Sequence, residues 1–198
     1  MDEVRVAAIV GSLREGSYTR VACRRALAVA DRYDRVGTDL IDLRTLDLPV
    51  YDNDHSEAGD APELFDRVAA ADSVLLGSPN YHGSYSSPLK NALDYCGFDE
   101  FENTTVGLLT VAGGSFPTSA LDHMRIVARA VNAWVLPHQV AIPNAYERFE
   151  EAPDGVVRLV DENYAERVDT LGHRLVEYAN IEPDPPTMES EQNVGADD

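Results

Sequence analysis

The sequence predicts a three-layer α/β domain: a doubly wound parallel sheet of five strands in the order 2-1-3-4-5, with helices on both faces. Three observations carry this expectation. Apolar runs of strand length alternate with segments of helical periodicity along the 198 residues. The first run is continuously apolar, as in a strand covered on both sides. The length suits one well-cored domain and is short for two.

Taken in order, Val4 to Val10 is apolar throughout after Arg5 and reads as the first strand. Thr19 to Tyr33 has helical spacing, with Val21, Ala22, Arg25, Ala26 and Val29 on one largely apolar side. "TDLIDL", Thr38 to Leu43, is a second strand, and "YDNDHSEAGD" behind it is a polar loop. Ala61 to Ala71 is a short helix with Pro62 in its first turn, where a missing N–H costs nothing. "DSVLLGSP" is the third strand, ending at Pro79. The next helix has a cap at Ser86, Pro88 near its start and a stop at Gly97. "TTVGLLTVAGG" is a fourth strand running into a glycine pair, and Leu121, Met124, Val127, Ala128 and Val131 mark a helix face after it. "AWVLPHQVAI" is the fifth strand, in which Pro137 predicts an interruption or bulge. Tyr164, Val168, Leu171, Leu175 and Tyr178 set out the last helix. Residues 181–198 hold three prolines and six acids with no base and no aromatic, so they predict a loose tail after a domain spanning 1–180.

Charge narrows the partners. There are 35 acidic and 16 basic residues, a net charge of −19, and Lys90 is the only lysine. Such a surface repels nucleic acid and anionic membranes. An acidic, lysine-poor chain suits a cytoplasm full of salt, where screening reduces self-repulsion. "MDEVRV" is not a signal peptide and no segment is apolar enough to span a bilayer, so a cytoplasmic protein is expected. Cys23 and Cys96 stand alone, with no CxxC and no nearby histidine pairing; they predict buried thiols and no metal site.

Ligands of open α/β sheets bind beyond the C-terminal strand ends, near the switch in strand order. That rule selects the loops after strands one, three and four. In a chain that is 26% charged, residues 73–89 and 103–121 contain no Asp, Glu, Lys or Arg. The first loop, "GSLREGSYT", sets Ser12, Ser17 and Thr19 hydroxyls, two glycines and the forked donor Arg14 at a helix N-terminus, where the dipole favours an anion. The residues alone leave two readings: a phosphate cradle, or a helix cap beside a solvated arginine. The loop matches neither GxGxxG nor GxxxxGK[ST], which favours a mononucleotide phosphate. The second, "GSPNYHGSYSSP", can wrap a flat heteroaromatic ring, or its tyrosines can pack on another subunit; His82 is a candidate acid or base only through its near-neutral pKa. The third, "TVAGGSFPT", lets backbone approach a ligand at Gly113 and Gly114, or is simply a tight turn.

Together the three loops resemble one family. "GSLREGSYTR" resembles the GSxRxxSxN phosphate loop of the NAD(P)H-dependent FMN reductases, and "SPNYHGSYSSPLKNALDY" is similar to their P-x-Y-[NH]-x-S turn and LKNA-[IL]-D helix. "AGGS" occupies the place of their third flavin loop, and the resemblance runs from Val4 to Ile142. It implies a flavodoxin-like fold with FMN bound and NAD(P)H as electron donor. Ser12, Arg14, Ser17 and Thr19 would then hold the phosphate, with Thr19 standing where the family usually has Asn. Pro79, Asn80, Tyr81, His82, Gly83 and Ser84 would line the isoalloxazine, and Gly113, Gly114 and Ser115 would close its other side.

The resemblance further implies hydride transfer through the flavin to a small acceptor such as a quinone, azo compound, free flavin or metal oxyanion, with no indispensable protein proton donor. It also implies a homodimer or homotetramer, with contacts near "SYSSP" and the third loop. Two alternatives stand beside it: an electron carrier without nicotinamide-dependent turnover, and an α/β protein binding another nucleotide.

Overall fold

Strand β1 (Val4–Val10) pairs in parallel with β2 (Val36–Asp42) on one side and β3 (Ser73–Pro79) on the other. β4 (Thr105–Val111) and β5 (Trp134–Ile142) extend the sheet past β3, giving the expected order β2-β1-β3-β4-β5. The structure, a computed structural model, describes residues 3–179; the expected 181–198 tail and the boundary before it lie outside the described residues.

Every residue of β3 and β4 is buried, which is why neither carries a charge and their polar residues are small hydroxyls. Side chains alternate across the sheet. Ile9, Leu76 and Leu108 face helices α2 (Ala61–Ala69), α3 (Ser87–Tyr95) and α5 (Thr118–Ala130) through Leu64, Leu89 and Met124. Ala8, Leu75 and Leu109 face α1 (Tyr18–Ala30) and α6 (Glu162–Glu177) through Ala22, Ala26, Val168 and Leu171. The two layers close the core on both faces and leave the C-terminal strand ends open to the loops. Cys23 and Cys96 are both buried thiols, and burial pushes the Cys23 thiol up to about 12.

The bulge predicted at Pro137 is present. β5 pairs Val135 with Val106 but Gln139 with Leu108, so extra residues around the proline are accommodated on the edge strand. Other bounds differ from the sequence reading. α1 ends at Ala30 rather than Tyr33, and β2 starts at Val36, because Arg35 takes a left-handed turn that brings Val36 level with Val4. Gly97 does not stop α3, which ends at Tyr95; its N–H donates to Glu100 Oε2 (2.6 Å) and opens a short helix, α4 (Phe98–Phe101), that buries Phe101 in the core. A hairpin of β6 (Phe149–Glu151) and β7 (Val157–Leu159) follows β5, its strands too short to show a periodicity.

Candidate functional site

The loops after β1, β3 and β4 meet over a cleft enclosing about 110 Å³. Ser12, Arg14, Ser17 and Thr19 enter it from the first loop, Pro79, Asn80 and Tyr81 from the second, and Gly113 from the third. His82, Gly83, Ser84, Gly114 and Ser115 do not line it. Arg14 is the only charged lining residue, in a chain of net charge −19. The site is therefore a positive point on an acidic molecule.

The first two loops are joined before any ligand arrives. Gly11 N donates to Gly77 O (2.8 Å), and a Cβ at Gly11 would stand 2.7 Å from both Leu89 Cβ and Ser86 Oγ, so only glycine allows this approach. Ser86 Oγ donates to Gly11 O (2.6 Å) while its own N–H donates to Ser78 Oγ (2.9 Å), both serines being buried. Ser17 Oγ accepts from Arg20 N (3.1 Å), capping α1 while lining the cleft. The cap and the cradle are one device. Among the described residues the backbone N–H groups of Leu13 to Gly16, and of Tyr18 and Thr19, donate to no protein acceptor, which leaves a run of donors for an anion.

Behind that loop stands Arg20, which the sequence reading passed over. Its guanidinium is buried and lies 2.9 Å from Asp42 Oδ2, at the end of β2. Arg44 grips the same carboxylate through Nη2 (2.9 Å). Burial by itself raises the Asp42 carboxyl, but the Arg44 hydrogen bonds and the Arg20 charge outweigh it and hold it below its ordinary range.

In the second loop Tyr81 and Ser84 exchange backbone hydrogen bonds (2.9 and 3.1 Å) across His82 and Gly83, whose φ angles are 52° and 82°. Positive φ at both central residues makes this a type I′ turn. Histidine tolerates that conformation better than most residues, so His82 has a backbone reason for its place, and its ring is exposed. Ser84 Oγ pairs with His123 Nδ1 (2.9 Å) on α5. Asn80 donates from its backbone to Val111 O (2.9 Å) and from Nδ2 to Phe116 O (3.2 Å), while its buried Oδ1 has no partner.

Ser115 of the third loop turns its hydroxyl to Asn144 Oδ1 (3.3 Å) rather than into the cleft. Tyr18, Val111, Ala112, Ala145 and Tyr146 complete the lining; the first three lie in the selected loops without having been named as site residues, and Ala145 and Tyr146 lie outside them. Tyr146 meets Tyr18 edge-on at 6.1 Å, and Tyr18 stacks on Phe149 at 4.6 Å. The one available signal was the "AYERF" aromatic spacing directly after β5.

Residues 4–147, which hold the whole cleft, match the family described as NADPH-dependent FMN reductase. The chain belongs to that family. It is an NAD(P)H-dependent FMN oxidoreductase, so the enzyme reading stands over the carrier one. Among curated relatives, the FMN-dependent NADPH-azoreductase of Staphylococcus haemolyticus is 32% identical over 185 residues, 88% of this chain and 95% of the relative. The solved structure of FerB, a flavoenzyme NAD(P)H:(acceptor) oxidoreductase from Paracoccus denitrificans, superimposes with a TM-score of 0.72 at 23% identity, covering 89% of this chain and 97% of that one. An FMN-dependent NADH-azoreductase from Bacillus anthracis, solved with FMN, gives 0.64 at 11% identity, over 87% and 99%. At these identities the structures show the shared fold.

The reductase's own residues fit FMN. The unpartnered amides beside Arg14 suit a phosphate, and the orphaned Asn80 Oδ1 suits a hydroxyl or imide donor from the ligand. No acid lines the cleft to repel the anion.

Proposed function

We propose that the cleft holds FMN with its phosphate at Ser12, Arg14, Ser17 and Thr19 and its ring against the second and third loops, and that the reductase serves small, flat acceptors such as azo compounds and quinones. Free flavin, also flat, and metal oxyanions, which are small though not flat, are proposed as further acceptors. One observation carries the reading: a run of unpartnered amides stands beside Arg14, the one charged lining residue among the described residues, in a cleft that the exposed residues Tyr81 and Tyr146 also line. The enclosed volume, about 110 Å³, suits the phosphate end of the cofactor, leaving the ring at the open mouth where donor and acceptor can reach it.

When bound, FMN supplies hydride transfer, from a reduced nicotinamide in one half-reaction and to the acceptor in the other. The chain positions and neutralises. Arg14 and the loop amides offset the phosphate charge, Asn80 fixes a polar edge, and the charge-free loops keep ionised groups away from the ring. His82 turns the backbone and is not an indispensable acid.

The test is the visible spectrum of protein purified in molar salt, before and after anaerobic NADH or NADPH. A flavin band that bleaches, then returns on adding an azo dye or a quinone, is expected. Protein that neither carries nor takes up FMN rejects the site; bleaching that neither acceptor reverses rejects the acceptor class.

We also infer a cytoplasmic homodimer or homotetramer whose contacts lie near Ser84–Pro88 and the third loop. Tyr81 and Tyr146, both exposed and both lining the one cleft, support it, since apolar surface gathered in one place marks an interaction site. Light scattering in high salt should give a dimer or tetramer mass; a clean monomer rejects it. The acidic, single-lysine composition supports a salt-rich working medium. The melting temperature should rise from dilute to molar potassium chloride, and a fall would remove that proposal.

A further inference from the structure

We propose that Arg20 is the positioning residue of the phosphate loop: anchored on Asp42, its guanidinium holds three loop carbonyls inward and thereby turns the loop's amides outward to the anion. This rests on the reading that the loop takes the FMN phosphate.

Arg20 Nη1 donates to Glu15 O (2.7 Å), and Nη2 donates to Arg14 O (2.8 Å) and, at the limit of hydrogen bonding, to Ser12 O (3.5 Å). In a trans peptide the carbonyl and the following N–H point in opposite directions. Carbonyls of Ser12, Arg14 and Glu15 drawn toward Arg20 therefore leave the N–H groups of Leu13, Glu15 and Gly16 pointing away from it. Those N–H groups are among the donors with no protein acceptor. A guanidinium suits this role because it is planar and always charged, with five donors in a fixed fork.

Asp42 fixes the guanidinium in turn. It ends β2, the strand paired along β1, so the anchor belongs to the rigid sheet rather than to the loop. Arg44 holds the same carboxylate, Nη2 donating to Oδ2 (2.9 Å) and Nε to Oδ1 (3.2 Å). A buried ion pair is a weak source of net stability. What this one supplies is a defined peptide orientation over Ser12 to Glu15, which an apolar residue of the same volume cannot give.

Only FMN carries the phosphate; riboflavin shares its ring and ribityl chain. The measurable consequence is the ratio of the two affinities, read by quenching of flavin fluorescence on apoprotein. In Arg20→Met the FMN affinity should fall about ten- to a hundredfold while riboflavin affinity stays within about twofold, the scale of losing a few charge-assisted contacts. Arg20→Lys should restore only part of the ratio, since one ammonium cannot span the carbonyls and the carboxylate together. Asp42→Asn, which keeps the shape of the side chain and removes its charge, should lower the ratio by a smaller factor and serves if Arg20→Met fails to fold. Variants with wild-type melting temperature and an unchanged ratio, or with both affinities reduced equally, overturn the role of Arg20. A wild-type protein that binds FMN and riboflavin equally overturns the phosphate-loop reading itself, a separate outcome.

Discussion

The two walls of the cleft are built differently. The wall made by the β1 loop is rigid before any ligand arrives: Ser12, Ser17 and Thr19 are buried, Gly11 is pressed against α3, and Arg20 ties three carbonyls to the sheet. The facing wall, Gly113 with Ala145 and Tyr146, continues into the largely exposed segment Gly114 to Phe116 outside the cleft. Phe116 is 89% and Tyr146 72% accessible; backbone bonds from Asn144 N to Gly114 O (3.1 Å) and from Ala145 N to Ala112 O (2.9 Å) tie the base of the segment, while its rim is held by the side-chain contacts Ser115–Asn144 (3.3 Å) and Asn80–Phe116 (3.2 Å). A phosphate has one shape and rewards preorganised donors. An acceptor site that takes several flat molecules needs surface that can adjust. On the function proposed above, the first wall would carry affinity and the second breadth of substrate.

The strongest way to break the comparison is to overpack the rigid side. Gly11→Val should cost about 3 kcal/mol, because new methyl groups would displace Leu89 and Ser86, and thermal denaturation should show it with FMN retention lost as well. Arg14→Ala should weaken FMN binding by about 1.5–3 kcal/mol with little change in melting temperature, since this arginine is exposed and ties no element together. Equilibrium titration of apoprotein with FMN measures it.

Acid attacks the same wall. The folded Asp42 carboxyl is held below its unfolded value of about 3.9, so the stability it contributes is complete above that pH and is lost as pH falls through the folded value. The Asp42→Asn variant should therefore lose the part of the acid destabilisation that falls below about pH 4, as read from melting curves across pH.

On the adaptable wall the effects should be smaller. Phe116→Ala should change KM for a bulky azo dye by less than about tenfold, with FMN affinity untouched, as expected of an apolar contact at an open rim. The smallest effect is expected for His82→Asn. Asparagine also tolerates positive φ, so kcat should stay within about threefold; a loss near a hundredfold, the least that general acid catalysis supplies, would assign His82 the proton.

Much of this was legible in the sequence because local rules govern it. A continuous apolar run after Arg5 gave away β1, Pro137 gave away the bulge, and Ser86 with Pro88 marked the start of α3. Gly97 misled because the same residue that can end one helix can also open another, and the burial of Phe101 chose the second outcome. The hairpin of β6 and β7 left no pattern because three-residue strands offer too few alternations.

By itself, then, the sequence determined the strand order, the three loops and the chemistry each could offer, since periodicity and turn residues act between near neighbours. The tertiary structure alone decided that Arg20 faces the carbonyls of its own preceding loop with Asp42 behind it. It also decided that Tyr146, from beyond the last sheet strand, closes the cleft beside Gly113. The Asp42 and Tyr146 contacts join residues far apart in the chain, and the direction Arg20 takes toward its own loop follows from that anchor, so packing sets all of them without leaving any repeat or spacing to read.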